Sequence, residues 1–200
     1  MRDSPARVVL GIDPGTAVTG YGIVRKEGRN RLTLVECGVI RTKPRDSLAQ
    51  RLVEIHEGVT ELIRRHSPNV LSIEDIFYAR NVRTTVVLGH ARGVILLAGA
   101  QAGLEIHEFP PAEIKKAVAG SGAATKLQVQ FMVARLLRLK SAPQPTDAAD
   151  GVAAALAFAL APDLPSVVRS DVPDLRRLAR EAETGGLVDI PGRVIGVRPA

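Results

Sequence analysis

The amino-acid sequence predicts an α/β domain in which three antiparallel strands lead into a parallel β-α-β-α-β unit. The first strand-like segments are joined by short turns, which is typical of an antiparallel meander. The later ones, Val70–Glu74 and Leu104–Phe109, are separated by a long stretch of helical character, as in parallel units. Two buried-strand patterns end in an acid, Asp13 and Glu74, so polar chemistry is expected at one edge of the sheet.

The N-terminal part is predicted to contain three strands. Val8–Asp13 is an apolar run that ends in an aspartate before Pro14-Gly15, which is typical of a buried central strand. A second strand, which contains two glycines, follows at Thr19–Val24. The turn Gly28–Asn30 then leads to a third strand at Leu32–Thr42. We expect these strands to pair in order.

The middle of the chain is predicted to alternate helices and strands. Ser47 can cap a helix from Leu48 to about His66, because apolar residues recur there at helical spacing. The strand Val70–Glu74, a long helix from about Arg83 to Ala102 and the strand Leu104–Phe109 follow.

The rest of the folded part is predicted to be helical. Pro110-Pro111 opens a short basic helix, a second helix covers Lys126–Leu139, and a third runs from Asp147 to about Leu160. We expect residues 1–162 to form one domain. Residues 163–200 mix charge with Pro and Gly, so we expect a weakly structured C-terminal tail.

Composition narrows the class of protein. Hydrophobic residues make up 46% of the 200 residues, which indicates a globular chain with a core. The formal net charge of +6 permits a polyanionic partner. One cysteine, Cys37, provides neither a disulfide nor a zinc cluster, which favours a reducing compartment. Because Met1–Pro5 has no apolar signal-peptide core, we expect a cytoplasmic protein.

The most apolar long segment, Val86–Ala102, contains His90 and Arg92. A membrane-spanning helix would avoid these polar groups. We therefore expect a helix of a soluble protein and no membrane partner.

Four acidic residues stand at positions that suggest a common site. Asp13 and Glu74 each end a buried strand, where an unpaired carboxylate is unfavourable. Asp147 and Asp150 lie three residues apart at a helix start, so they share a face. Simpler interpretations exist: Asp13 suits a turn cap, and Asp147 complements a helix dipole. Asp150 is harder to explain this way, because its apolar neighbours indicate a packed helix.

Converging carboxylates point to metal-dependent chemistry. Four of them cannot all stay ionised without cations, and hard divalent ions such as Mg²⁺ or Mn²⁺ fit oxygen ligands. Paired ions about 4 Å apart suit in-line phosphoryl displacement, so one or two ions per site are expected. An acidic, metal-binding centre in a basic chain is typical of a nuclease.

Five segments resemble the RuvC family of bacterial Holliday junction resolvases, in order and with similar spacing. They are Gly11–Thr16, Thr19–Gly22, Ile73–Phe77, Gly89–Gly93 and Asp147–Asp150. The resemblance implies a ribonuclease-H-like fold, with a mixed five-stranded sheet and helices on both faces. It also implies a homodimer that makes paired symmetric nicks in four-way DNA junctions with Mg²⁺ or Mn²⁺ during recombination and repair. Such nicks leave 5′-phosphate and 3′-hydroxyl ends, and the family's partners are the branch-migration proteins RuvA and RuvB.

The resemblance also implies roles for individual residues. The catalytic metal ligands of the family match Asp13, Glu74, Asp147 and Asp150. Some relatives have His at the position of Asp147, so this ligand is the more adaptable. Lys115 and Lys126 match basic positions that support DNA binding and catalysis, with Lys126 counted among the catalytic residues. Phe77 matches an aromatic residue that stacks on bases near the crossover.

The loop after Glu74 adds further candidate DNA contacts. Its aromatic pair, Phe77 and Tyr78, stands out because only 3% of the chain is aromatic. An exposed ring contributes about 1–3 kcal/mol per stacked base. The basic candidates are Arg80, Arg83, Lys115 and Lys116. The simpler interpretation is that the aromatic pair belongs to a core and that the lysines form a solvated helix face.

Three other functions agree with parts of the sequence. Asp13–Thr16 resembles the first phosphate loop of actin-like ATPases and sugar kinases, but those folds need a second Asp-Gly-Gly motif and nearly twice this length. An RNA-processing nuclease of the same fold would differ in its substrate. A non-catalytic junction-binding module would gain affinity by losing acids near phosphates, so the four acids argue against it.

Overall fold

The computed structural model describes residues 6–28, 31–75 and 82–161, which form five strands and five helices. The strands are β1 Arg7–Asp13, β2 Val18–Glu27, β3 Arg31–Arg41, β4 Val70–Glu74 and β5 Glu105–Phe109. The helices are α1 Leu48–His66, α2 Val82–Gln101, α3 Pro111–Ala119, α4 Lys126–Leu136 and α5 Thr146–Leu160. Along the chain these strands and helices follow one another as the sequence predicts.

The strands form one mixed sheet in the order β3-β2-β1-β4-β5. β2 pairs antiparallel with both β1 and β3, whereas β4 pairs parallel with β1 and with β5. The predicted meander and the parallel unit therefore meet at β1, the central strand. Ligands of such sheets bind beyond the carboxyl ends of the strands, and β1 and β4 end there in acids.

Two cores lie on opposite faces of the sheet. Leu10, Ile12 and Ile73 pack with residues of α1 and α2. Val9 and Val70, which alternate with them along the strands, pack with α3, α4 and α5. This confirms helices on both faces. By the same alternation, Asp13 and Glu74 extend to the α3–α5 face.

Helix α5 lies very close to the sheet because glycines occupy the contact. A Cβ at Gly11 would come closer than 3.0 Å to backbone atoms of Gly151 and Ala155, which real Cβ atoms essentially never do. A Cβ at Gly20 would collide with the backbone of Asp147. No side chain fits at these two strand positions, and the first turn of α5 therefore lies directly against β2.

Local signals explain most helix boundaries. Ser47 caps α1 as predicted, in a capping box with Gln50. The sequence predicts α4 to extend to Leu139, and this is wrong: the helix ends at Leu136. The cause is Arg138, whose φ of 55° turns the chain out of the right-handed helical region.

Some predictions fall outside the described residues. These are the loop residues Phe77, Tyr78 and Arg80 and the tail, residues 163–200. The domain boundary at residue 162 stays a prediction. Among the described helices, none combines the length and the apolar character that a membrane span requires.

The glycine contact predicts a stability effect. Gly11→Ala should lower the free energy of unfolding by about 1–3 kcal/mol or more, because the added methyl meets backbone that can move only if α5 moves. Urea denaturation measures the change. Gly89→Ala is the matched control, since a Cβ there meets no atom within 4 Å. Equal stability of the two variants would contradict the close packing of α5 on β1.

Candidate active site

Asp13 and Glu74 leave the sheet side by side. β1 and β4 run parallel, and Ile12 lies opposite Ile73. The next residue of each strand therefore emerges at the same level and on the same face. Both acids are only partly exposed, because α5 packs against β1 and β4. The register of two neighbouring strands thus creates half of the acidic group.

The other half comes from the first turn of α5. The glycine contact sets this turn over the carboxyl end of β1. Carboxylate oxygens of Asp13, Asp147 and Asp150 lie within 4.8 Å of one another. Glu74 is not part of this set of three, but it is close enough for the charge of Asp150 to act on it. The structure therefore brings three of the predicted ligands together and places the fourth beside them.

The acids disfavour one another's ionisation. Burial and the charges of Glu74 and Asp150 raise the pKa of Asp13 from its usual 3.8 to about 7. Burial, and then the charge of Asp150, also raises the pKa of Glu74. The negative charge at this edge is therefore incompletely compensated by the protein itself, and a bound cation would relieve it.

Two lysines flank the acidic group. Lys126 Nζ donates a hydrogen bond to Asp150 Oδ2 at 2.6 Å, and this bond raises the pKa of Lys126. Thr125 caps α4 and so fixes Lys126 at its first position. The charge of Lys115 on α3, like that of Lys126, opposes the rise in the pKa of Glu74. Both lysines thus lie where the sequence predicts them, although their roles stay predictions.

Hydrogen bonds to backbone carbonyls fix the turn that follows Asp13. The Thr19 hydroxyl donates to the carbonyl of Gly15 at 2.6 Å. The Thr42 hydroxyl donates to the carbonyl of Thr16 at 2.6 Å, and the Arg51 guanidinium donates to the same carbonyl at 3.0 Å. Side chains from β2, from α1 and from the residue after β3 therefore restrain the turn, which limits the movement of Asp13.

The end of β4 is restrained from α2. The side chain of Arg92, only 15% exposed, lies 3.2 Å from the carboxylate of Asp75 and also contacts that of Glu108. The amide of Asp75 donates to the carbonyl of Phe109 at 2.9 Å. Because Asp75 directly follows Glu74, these contacts fix the backbone beside a predicted ligand.

Sequence reasoning missed these restraining residues. Thr42 and Arg51 act through backbone carbonyls far away in the sequence, so no motif announces them. Arg92 had two signals, its charge in an apolar helix and its place in the segment Gly89–Gly93, but neither identified its carboxylate partners. Of the predicted DNA contacts, Lys116 and Arg83 are exposed, and the remaining loop residues lie outside the described part of the chain.

The group of acids fits a hard divalent cation. Asp13, Asp147 and Asp150 offer only carboxylate oxygens, and within the described residues no Cys or His belongs to the group. The adjacent Lys126 provides an ammonium that can hold a phosphate oxygen. Carboxylates gather beyond the carboxyl ends of the strands in a sheet of the order β3-β2-β1-β4-β5. This arrangement defines the class of the protein: a nuclease of ribonuclease-H-like fold.

Comparison with known proteins identifies the family. Residues 9–158 match the model of the family described as "Crossover junction endodeoxyribonuclease RuvC". A relative of that name from Pelotomaculum thermopropionicum is 49% identical over 152 residues, covering 76% of this chain and 92% of the relative. One from Rubrobacter xylanophilus is 48% identical over 153 residues, covering 76% and 85%. The chain belongs to the RuvC family of crossover junction endodeoxyribonucleases, as the resemblance predicts.

Solved structures have the same fold. T. thermophilus RuvC in complex with a Holliday junction substrate is 36% identical, with a TM-score of 0.73 over 77% of this chain and 93% of that one. The yeast mitochondrial Holliday junction resolvase Ydc2 is 13% identical, with a TM-score of 0.53 over 76% and 78%, and shares the fold alone. These similarities confirm the predicted ribonuclease-H-like sheet with helices on both faces.

The raised pKa of Asp13 predicts a pH-dependent stability. The folded chain holds this proton more tightly than the unfolded chain, so the free energy of unfolding should fall as pH rises from about 4 to about 7. Asp13→Asn removes this effect. Without metal, the variant should match the wild type near pH 4 and exceed it by about 2–4 kcal/mol near pH 8.

Urea denaturation in EDTA across this pH range measures the difference between the two proteins, which isolates Asp13 from other titrating groups. Addition of Mg²⁺ at pH 8 should stabilise the wild type more than the variant, because only the wild type keeps the full ligand set. A difference that does not change with pH would contradict the raised pKa.

Proposed function

We propose that this chain resolves four-way (Holliday) DNA junctions by paired symmetric nicks during recombination and repair. Each nick leaves a 5′-phosphate and a 3′-hydroxyl. The main supporting observation is the convergence of Asp13, Asp147 and Asp150, with Glu74 beside them, in a chain of the RuvC family. The structure of T. thermophilus RuvC in complex with a Holliday junction substrate supports the same substrate class here.

The proposed cofactors are one or two Mg²⁺ or Mn²⁺ ions per site. The residues that would hold them are Asp13, Glu74, Asp147 and Asp150. When bound, such ions supply an activated water at neutral pH and offset charge on the leaving oxygen. The all-oxygen ligand set and the raised pKa of Asp13 support this choice.

The lysines have separate proposed roles. An ammonium has three donors, and Lys126 uses one of them on Asp150. The other two are available to a phosphate oxygen, so Lys126 can stabilise charge on the transferring phosphoryl group. Lys115 acts electrostatically on Glu74, and its proposed role is to bind a neighbouring phosphate. Lys126 therefore serves the chemical step, and Lys115 serves affinity.

DNA contacts are proposed to extend from this edge onto the surrounding surface. The net charge of +6 favours a polyanion. Lys116 on α3 and Arg83 at the start of α2 are exposed. The proposed DNA-binding residues are Phe77, Tyr78, Arg80, Arg83, Lys115, Lys116 and Lys126.

A homodimer is proposed because two symmetric nicks need two active sites. Helix α2 offers a suitable surface. Val86 and Leu97 are about half exposed, and the exposed His90 and Gly93 lie between them on the same face. Gly93 leaves room for close approach, because a Cβ there meets no atom within 4 Å. An apolar helix face with a small residue at its centre is well suited to packing against its own copy.

The proposed setting is the bacterial cytoplasm, with RuvA and RuvB as partners. Resemblance to the family supports this proposal. Copurification of the tagged full chain with RuvA and RuvB on junction DNA tests it, and junction complexes that never contain all three proteins would contradict it.

A labelled mobile four-way junction tests the function directly. With Mg²⁺ or Mn²⁺ the purified chain should make paired nicks at symmetric positions in opposite strands, and the nicks should be sealed by DNA ligase. A linear duplex of the same sequence should stay nearly intact. Cleavage of both substrates at the same rate would argue for an unspecific nuclease instead.

Substitution of the four acids tests the proposed metal centre. Removal of one ligand charge with little change in volume should lower the cleavage rate by orders of magnitude while junction binding persists. The variants are Asp13→Asn, Glu74→Gln, Asp147→Asn and Asp150→Asn. The exposed Glu57 on α1 provides the control Glu57→Gln, which should cut normally. Wild-type cleavage by Asp13→Asn would refute the metal centre.

The two lysines should be separable by kinetics. Lys126→Ala should lower the single-turnover rate at saturating junction with little loss of affinity. Lys115→Ala should instead weaken binding and reduce the salt dependence by roughly one phosphate contact. Lys26→Ala is the control, because Lys26 pairs with Arg7 at the opposite end of β1. If all three variants behave alike, the proposed DNA path lies on the wrong face.

The dimer surface can be tested by a single charge. Leu97→Glu would place two carboxylates near a twofold axis without partners, so it should convert a dimer into a monomer at micromolar concentration. Sedimentation measures the mass, with Val53→Glu on α1 as an equally exposed control. A wild-type monomer that still makes concerted paired nicks would contradict the proposal.

A further inference from the structure

Helix α4 presents two large apolar side chains to solvent. Leu127 is 78% exposed and Phe131 is 61% exposed, more than any other large hydrophobic residue in the described ranges. They are four residues apart and therefore share a face. The guanidinium of Arg135, one turn further, lies over the Phe131 ring at 5.9 Å. We call Leu127, Phe131 and Arg135 the α4 ridge.

Open hollows lie on both sides of the α4 ridge. One, of about 570 Å³, is lined by the turn between α3 and α4, including Ser121, and by residues of α4, including Gln128. The other, of about 380 Å³, is lined by the chain after α4, including Lys140. Leu127 and Phe131 border both hollows. The ridge therefore projects between two recesses, neither of which contains an acidic residue in its lining.

The surrounding chain has only positive charges. Between residues 114 and 146 there is no Asp or Glu, and the cations are Lys115, Lys116, Lys126, Arg135, Arg138 and Lys140. These six charges equal the formal net charge of the whole protein, +6. Arg135, Arg138 and Lys140 are all exposed. This charge distribution matches a polyanion, and it disfavours a second copy of the same surface, because like charges would meet.

The α4 ridge is continuous with the acidic centre. Leu127 directly follows Lys126, whose Nζ binds Asp150. From Leu127 to Arg135 the helix rises about 12 Å, the length of roughly three stacked bases. A strand whose phosphate lies at Lys126 can therefore place its next bases along the ridge.

We propose that the α4 ridge is a stacking platform for unpaired bases of the DNA strand that passes through the active site. The Phe131 ring stacks on a base, Leu127 contacts its neighbour, and Arg135 and Lys140 bind the phosphates. In a duplex both faces of a base are covered, so a side chain of this kind selects DNA that is opened near the cut. The inference rests on the proposed function, since it assigns this surface to the same strand.

Binding in EDTA tests the platform without cleavage. The full chain is titrated with a short single-stranded oligonucleotide and with a four-way junction containing 2-aminopurine beside the crossover. Phe131→Ala should weaken single-strand binding about tenfold and reduce the fluorescence change on junction binding. Phe131→Tyr should keep both signals because it keeps the ring. Phe131→Leu, which keeps apolar area without a ring, should behave like Phe131→Ala.

Two further variants complete the test. Val53→Ala, at a similarly exposed apolar position on α1, should bind as the wild type does. Arg135→Gln should reduce the salt dependence of single-strand binding by roughly one contact. Thermal unfolding of each variant should be unchanged, because the ridge side chains lie in solvent.

Several results would overturn the platform. Unchanged affinity of Phe131→Ala for the oligonucleotide would do so. Wild-type binding by Phe131→Leu would also do so, because it would indicate apolar contact without stacking. A change in sedimentation without a change in DNA binding would assign the ridge to a protein contact, either a second copy or residues 163–200. Failure of the wild type to cut junctions would refute the proposed function, while the oligonucleotide titration would still decide the platform separately.

Discussion

The contact between α5 and the centre of the sheet is the constraint on which the site depends. At Gly11, Gly20 and Gly151 the absence of a side chain lets the backbone of the helix approach that of β1 and β2. The first turn of α5 is therefore held over the carboxyl end of β1, and Asp147 and Asp150 approach Asp13. A single methyl group in this interface would displace the helix and its two acids together. Packing and chemistry thus depend on the same backbone contact.

The close approach of the acids also makes their carboxylates repel one another, and other residues of the site must hold them in place. Burial and mutual repulsion raise the pKa of Asp13, so the folded chain without cations is destabilised at neutral pH. Movement of the acids apart would relieve this repulsion. The hydrogen bonds at the turn after Asp13 and the contacts of Arg92 behind Glu74 oppose such movement. Lys126 offsets part of the charge, because its ammonium bonds Asp150 and acts electrostatically on Asp13. Rigid backbone therefore keeps the ligands arranged for an ion.

The sequence was sufficient to predict the order of elements, because apolar periodicity and turn residues report local structure directly. It also predicted that the acids would meet, because a buried strand that ends in a carboxylate indicates a polar site at that end. The structure brings Asp13, Asp147 and Asp150 together there. The sequence did not predict the end of α4, which depends on the backbone conformation of Arg138. Nor could it give the bond from Lys126 to Asp150 or the pairing of Arg92 with Glu108, because these join elements through the tertiary fold. Glycines illustrate the same limit: Gly99 packs against Leu71, whereas Gly89 in the same helix faces open space.

The acids of the candidate site and the cations near it belong to different kinds of structure. The acids are attached to β1, β4 and α5, whose positions are set by the sheet and the core, so they vary little in geometry. The cations lie on α3, α4 and the chain after α4, at exposed positions such as Lys116 and Arg135. Phosphate contacts at exposed positions add affinity in small, salt-dependent increments. A metal centre tolerates far less displacement, because its ligands must stay within coordination distance of the same ion. The fold therefore places the exposed cations on elements other than those that carry the acids, with Lys126, which bonds Asp150, as the exception. A change at one of the exposed cations need not disturb the acids.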